Sequence, residues 1–321
     1  MFTSAELIKA FTEKINSQQL FDEPGTLHSA MRYFIDLGGK RIRPVICLMG
    51  NELFGDINPD AWHVATAIEL FHNFTLIHDD IMDKSPLRRG QATVHEKFGN
   101  DTALLSGDVM LVHAYEQLNK INARYLQKII TLFNRTGREV CEGQQLDMEF
   151  ERKENVHMDE YIHMIGLKTS VLLAASVQMG AILGGASLGN QHHLYEFGKN
   201  LGLAFQVQDD YLDAFGDKQK FGKEIGNDIR TNKKTFLMIR ALDTCTPAQQ
   251  QELQQLLQQD APGKVDQVLS VFRSCGVDEW ARSAKEDFMK KAFDHLEEVA
   301  VLSKRKEPLK QLATELLERE S

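Results

Sequence analysis

The sequence predicts an all-α protein, and three observations carry that prediction. Long segments repeat their apolar residues with the 3.6-residue period of an amphipathic helix. Only seven prolines occur in 321 residues, each placed where a helix could begin or end. No run alternates apolar and polar residues for long enough to read as a strand. With 42% of residues hydrophobic and 26% charged, the chain can bury a sizeable core, although length alone leaves the domain count open. No composition shift marks a linker and no short repeat appears, so residues 1–321 are expected to form a single domain.

In order, residues 5–15 and 27–36 read as amphipathic helices. Gly38-Gly39 breaks the pattern, and Lys40-Arg41-Ile42-Arg43-Pro44 opens the next helix, with Pro44 suited to its first turn. Further helices are expected over 60–83, 101–119, 124–150, 158–164, 169–183 and 191–215. Residues 216–232 are polar, glycine-rich and basic, as a mobile loop over a phosphate site would be. Helices then follow over 234–242, 247–258, 263–274, 277–303 and 308–319. The Gln-rich patch 249–259 keeps its leucines at helical spacing and reads as a surface helix. The small-residue-rich stretch 171–189 holds Ser176, Gln178 and Ser187, so it reads as a tightly packed buried helix in preference to a membrane span.

Net charge is −9, which argues against a general nucleic-acid binder. Cys47, Cys141, Cys245 and Cys275 are far apart in sequence and show no metal or redox spacing, so buried, reduced thiols in the cytosol are expected. The N-terminus lacks the basic and apolar regions of a signal peptide, so a cytoplasmic location is expected.

The chemistry concentrates at Phe71-His72-Asn73-Phe74-Thr75-Leu76-Ile77-His78-Asp79-Asp80-Ile81-Met82-Asp83. Asp79 and Asp83 are four apart and Asp80 and Asp83 three apart, so all three carboxylates are expected on one helix face. Acids there repel one another and meet the negative end of the helix dipole, so a cation should offset them. Hard oxygen ligands point to Mg²⁺, which keeps waters and binds through a few carboxylates plus substrate phosphates. Arg88 and Arg89 follow at once and suit phosphate recognition. One acidic helix end reads more simply as a solvated face. The spacing recurs at Asp209, Asp210 and Asp213, however, and two such clusters with cations close behind overturn the simpler reading.

These two Asp-Asp-x-x-Asp motifs, with the residues between about Gly38 and Lys234, resemble the trans-isoprenyl diphosphate synthases, or polyprenyl synthetases. The resemblance implies a helical bundle of the isoprenoid synthase type with a central cavity. It implies condensation of isopentenyl diphosphate with an allylic diphosphate, helped by about three Mg²⁺ ions. Asp79, Asp80, Asp83, Asp209, Asp210 and Asp213 would hold the metal. Arg88, Lys168, Lys223 and Lys233 would hold the allylic diphosphate, with Thr169 and Gln206 nearby. Lys40, Arg43, His72 and Arg89 would hold isopentenyl diphosphate. Spacing supports part of this. Lys40 and Arg43 can share a helix face and leave Arg41 turned elsewhere, and His72 lies about 10 Å along the helix from Asp79. Taken singly, His72 reads as a satisfied interior histidine and the lysines as surface charge; the joint pattern decides otherwise. Lys234 competes with Lys233 for its role. Gln144 and Asp147, in Glu142-Gly143-Gln144-Gln145-Leu146-Asp147, are expected to support the site or to form a packed polar pair. A homodimer is implied by the resemblance alone.

Bulk just before the first motif limits product length in this family. Phe74 stands five residues before Asp79, Thr75 four before and Phe71 eight before, and the motif carries no insertion. That arrangement looks like archaeal-type geranylgeranyl diphosphate synthases, so a C20 product is expected, C15 next and longer chains third. Phe71 and Phe74 could instead be ordinary core residues. A class I terpene cyclase would need a Glu where Thr235 follows Asn227-Asp228-Ile229-Arg230-Thr231. A non-catalytic regulatory subunit would be expected to have degraded Asp motifs, and both are intact.

Overall fold

The computed structural model describes residues 1–18, 25–216, 226–258 and 262–318. The chain is all-α, as expected. Its helices are α1 (Ser4–Ser17), α2 (Thr26–Asp36), α3 (Ile42–Glu52), α4 (Pro59–Met82), α5 (Val94–Phe98), α6 (Asn100–Leu118), α7 (Ala123–Arg152) and α8 (Met158–Ile165). A π-helix, Gly166–Ser170, then leads into α9 (Val171–Leu183) and α10 (Leu188–Phe215). The remainder are α11 (Asn227–Arg230), α12 (Phe236–Thr244), α13 (Pro247–Gln258), α14 (Lys264–Ser274), α15 (Val277–Glu298) and α16 (Ser303–Glu318).

Two compact units share these elements. One comprises Met1–Phe133, Ser176–His192 and Val301–Leu309. The other comprises Asn134–Ala175, His193–Ala300 and Lys310–Ser321. In the first, α4 starts with Asn58 capping the Asp60 amide and Pro59 at the first turn, where its missing N–H costs nothing. Close helix contact explains the small residues around 180. A Cβ at Gly180 would lie 1.9 Å from the Cys47 carbonyl oxygen, and one at Gly50 would lie 2.6 Å from that of Val177. Asn51 ties the contact by donating from Nδ2 to the Gly180 carbonyl at 3.0 Å. The helical run Met158–Leu183 is long and apolar enough to cross a membrane, yet 72% of its most apolar window is buried inside the protein. In the second unit, Phe236 stacks on Trp280 at 4.4 Å, beside buried Tyr161, Val268 and Phe272.

Three expectations need correction. Leu87–Arg88 and Gln91–Ala92 pair as a two-residue antiparallel hairpin. Its turn residues Arg89 and Gly90 both have positive φ, 54° and 75°, the geometry that matches strand twist. The final helix starts at Ser303, and Pro308 lies inside it. The preceding break comes instead at Val299, whose backbone is extended and whose side chain is buried. Finally, of the four cysteines, all free, only Cys47 is buried; Cys141 is exposed, and α13 returns the chain so that half-buried Cys245 and Cys275 meet, with their Sγ atoms 2.9 Å apart.

Candidate active site

In the first unit the acid cluster ends α4. Asp80 is buried while Asp83, the C-cap, is exposed. Arg88 explains the inward turn. It donates from Nε to Asp80 Oδ2 at 2.7 Å and from Nη2 to Oδ1 at 2.8 Å, a bidentate pair that fixes the guanidinium plane. The tight hairpin turn then carries Arg89 to the Gly38 carbonyl, to which it donates. Gly39 leaves room for it, since a Cβ there would lie 2.9 Å from the Arg89 guanidinium.

Arg41, not expected to matter, organises the neighbouring basic group. It sits in the left-handed region at φ 50°, ahead of α3. Its buried guanidinium pairs with buried Glu69 and donates to the Ile35 carbonyl at 3.0 Å. Lys40 therefore lies outside the helix, and the shared-face argument for Lys40 and Arg43 fails; Lys40 is exposed before the turn. Arg43 Nη1 lies 3.1 Å from His72 Nε2. A guanidinium only donates, so Nε2 accepts and the ring proton is assigned to Nδ1. Burial, then the charges of Arg43, Arg89, Arg88 and Arg41, hold His72 well below the ordinary value of 6.5. Burial also lowers Arg43 to about 10, partly opposed by Glu69. A neutral N–H donor among arginines suits a polyanion.

In the second unit the π-helix carries Lys168 and Thr169. Two glycines allow α7 and α10 to approach it. A Cβ at Gly143 would lie 2.3 Å from the Lys168 backbone nitrogen, and one at Gly202 would lie 2.6 Å from Ser170 Cα. One turn after Gly143, Asp147 accepts from Lys168 Nζ at 2.6 Å and lies 3.8 Å from Lys233 Nζ. Burial alone would raise the Asp147 carboxyl, but Lys233 and Lys168 outweigh it and hold it below 3.8. One turn after Gly202, Gln206 accepts from Thr169 Oγ1 at 3.2 Å and donates to Asp210 Oδ1 at 3.0 Å. Lys234 faces elsewhere, donating to the Phe150 carbonyl at 2.8 Å.

Asp210 is the buried member of the second cluster, while Asp209 is exposed. Its Oδ2 accepts from the Tyr161 hydroxyl at 2.6 Å and the Phe236 amide at 3.0 Å. Burial raises the carboxyl to about 7 against these donors, and Asp228 adds to the rise. Asp213 accepts from the Asp228 amide at 3.1 Å. Lys223 lies outside the described residues, as does much of the expected 216–232 loop. Sequence reasoning missed Glu69, Tyr161 and the Phe236 amide, none of which belongs to a charged motif, and it turned Arg41 of Lys40-Arg41-Ile42-Arg43 away from the group that it organises.

Phe74 lies between two rings of its own helix, with centroids 5.6 Å from Phe71 and 4.8 Å from His78. Phe71 is buried against Phe133 at 5.3 Å. His78 Nε2 reaches the Leu104 carbonyl at 3.0 Å across Gly107, where a Cβ would lie 2.3 Å from that nitrogen. Thr75 turns its hydroxyl back to the His72 carbonyl at 2.8 Å.

The donor set fits a hard divalent cation, being carboxylate oxygens beside cations that can hold phosphate. Among the described residues no three His, Cys, Asp or Glu side chains gather to hold an ion by themselves. Mg²⁺, which takes oxygens from substrate phosphates and water, does not need such a group.

Acid-rich helix ends with adjoining phosphate-type cations on an all-α frame define the helical diphosphate-handling enzymes. The Polyprenyl synthetase family pattern matches residues 24–274. The chain is 38% identical over 298 residues to a short chain isoprenyl diphosphate synthase of Methanothermobacter thermautotrophicus, covering 92% of this chain and 91% of that one. It also resembles a crystal structure of geranylgeranyl pyrophosphate synthase at 40% identity and TM-score 0.93, over all of both chains. A polyprenyl synthase from Caulobacter crescentus CB15, complexed with calcium and isoprenyl diphosphate, superposes with TM-score 0.87 at 26% identity, covering 99% of this chain and 97% of that one. The chain belongs to the polyprenyl synthetase family. It is a trans-prenyltransferase, of a family that binds isoprenyl diphosphates with divalent metal.

Proposed function

We propose that this enzyme extends allylic diphosphates with isopentenyl diphosphate and stops at geranylgeranyl diphosphate. The observation that carries the length is Phe74, five residues before Asp79 and braced between Phe71 and His78. A braced ring is a firmer floor than a mobile one, because displacing it would disturb two packed neighbours.

The acids divide their labour by burial. Asp79, Asp83, Asp209 and Asp213 are less buried than their cluster partners, and with Asp80 and Asp210 they form the ligand set for about three Mg²⁺ ions. Asp80 also orients Arg88, and Asp210 is itself oriented by Gln206, Tyr161 and the Phe236 amide. Bound Mg²⁺ supplies positive charge against the diphosphate as it leaves the allylic carbon. Arg88, Lys168, Lys223 and Lys233 hold the allylic diphosphate, with Thr169 and Gln206 steadying Lys168's turn. Lys40, Arg43, Arg89 and neutral His72 hold isopentenyl diphosphate, with Nδ1–H of His72 as a donor. In this reading residues 1–321 act as one catalytic domain, in the cytoplasm, as a homodimer. The exposed apolar face of α6 supports the dimer: Leu104 is 50% exposed, Leu105 54% and Val112 56%.

The test is a product assay with purified protein, Mg²⁺, isopentenyl diphosphate and dimethylallyl, geranyl or farnesyl diphosphate, read by mass spectrometry. Accumulation of C20 from every starter is expected. A stop at C15, or growth to C25 and beyond, overturns the length assignment and keeps the enzyme class.

A further inference from the structure

Cys245 and Cys275 stand 30 positions apart, yet their Sγ atoms lie 2.9 Å from each other. Each ends a helix. Cys245 caps α12, its amide donating to the Ala241 carbonyl at 2.9 Å, and Cys275 caps α14, its amide donating to Val271 at 3.0 Å. A side-chain bridge braces the same corner, from Gln249 Nε2 to Ser274 Oγ at 2.9 Å. Ordered backbone therefore brings the sulfurs together, not chance contact of mobile side chains. Both thiols are half-buried, so a small reagent reaches them. A soft metal would want further ligands, and no third metal-binding side chain joins the pair among the described residues. Two-electron chemistry between the sulfurs is what the geometry favours.

We propose that Cys245 and Cys275 form a reversible intrachain disulfide, closed by exchange with a small-molecule disulfide of the glutathione type. One of the two sulfurs attacks the reagent as a thiolate, forms a mixed disulfide and releases one thiolate. The other thiol then gives its proton to solvent, its sulfur attacks the first, and the second thiolate leaves as the protein S–S bond forms. Two protein thiols are oxidised and one reagent disulfide is reduced to two thiols.

The bond would brace the far end of α12, whose first amide, at Phe236, donates to Asp210. It also closes a long loop and so constrains the unfolded chain. The bond therefore acts as a redox-dependent brace behind the second Asp cluster.

To test it, the full chain is incubated with oxidised glutathione, free thiols are alkylated before denaturation, and the peptides are mapped by mass spectrometry. Peptides carrying Cys245 and Cys275 should be joined, and dithiothreitol should part them. Exposed Cys141 and buried Cys47 serve as controls for reagent reach. The thermal midpoint should rise by several degrees on oxidation and return on reduction. Cys245→Ser and Cys275→Ser should each abolish both the link and the shift. Cys245 and Cys275 both alkylated while Cys141 carries glutathione would overturn the pair. A link with no change in midpoint would overturn the brace.

Discussion

Asp210 shows how one residue can serve two ends. Its carboxylate accepts three hydrogen bonds, which favour charge, while burial lifts it to about 7. The unfolded carboxyl titrates near 3.8, so between there and about 7 the folded protein holds a proton that the unfolded chain has lost. Stability from this group is full below the lower value and is lost as pH rises through the upper one. A cation takes only the ionised form, so metal binding must expel that proton at lower pH. The Mg²⁺-induced rise in thermal midpoint should therefore grow between about pH 6 and about pH 8, and Asp210→Asn should flatten it. Equal rises at both pH values in the parent protein would break the link. His72 carries the opposite sign. Its depressed value means stability is present above the unfolded value of 6.5 and is lost as pH falls below it. Phe74 offers a cleaner handle on specificity. Phe74→Ala removes the ring between Phe71 and His78 and should lengthen the product by at least one isoprene unit. An unchanged product ladder on chromatography would take the role away from Phe74.

At the scale of elements, the π-helix is where sequence reading and structure part most usefully. Periodicity placed a helix start at Thr169, because a single wider turn leaves no distinct spacing over five residues. Gly143 and Gly202, on other helices, let α7 and α10 press against it. Turns of this kind recur at functional sites, and here one carries both Lys168 and Thr169. Gly143 already stood inside a motif legible in sequence, but its purpose was not, since only packing reveals which backbone it faces. The hairpin was hidden for a different reason: its turn uses Arg89-Gly90, without the Asn or Asp that usually signals positive φ. The Asp motifs were legible because charge at helical spacing needs no tertiary context, whereas the inward turn of Asp80 depends on Arg88. Gly143→Ala should push the Lys168 turn aside at a cost of about 1–3 kcal/mol, the usual penalty of overpacking. Turnover should fall about 10- to 100-fold with helical content kept, because small displacements at reacting groups are costly. Gly189→Ala, where nothing lies within 4 Å of a new Cβ, is the control. Equal activity in the two variants would show that the close approach has no catalytic consequence.

For the whole molecule, a net charge of −9 coexists with a local group of Arg41, Arg43, Arg88 and Arg89, all of which act on His72. Acidity overall and basicity at the site were both visible in the sequence, and together they suit an anionic substrate without attracting nucleic acid. The exposed stripe on α6 was not visible, because a helix that is apolar on two sides gives a blurred periodicity. On α6, Ala103, Met110 and Ala114 are fully buried while Leu104, Leu105, Val112 and Tyr115 are exposed on another side. Residues 104, 105, 108, 112 and 115 fall within about 100° of arc, so the exposed group forms one stripe interrupted by Asp108. An exposed apolar stripe of this kind marks an interaction surface more often than idle exposure. A second copy of the same chain is the partner that our reading of the family supplies, and self-complementary apolar stripes suit a two-fold interface. Leu105→Glu places a charge at the stripe and should convert a dimer to a monomer in sedimentation at micromolar protein. Helical content should be unchanged, since Leu105 is 54% exposed. Leu302→Glu, at a site 75% exposed and outside α6 in the sequence, should leave the dimer intact. If the parent protein sediments as a monomer, the α6 stripe belongs to some other partner; if both variants stay dimeric, the interface lies on another face.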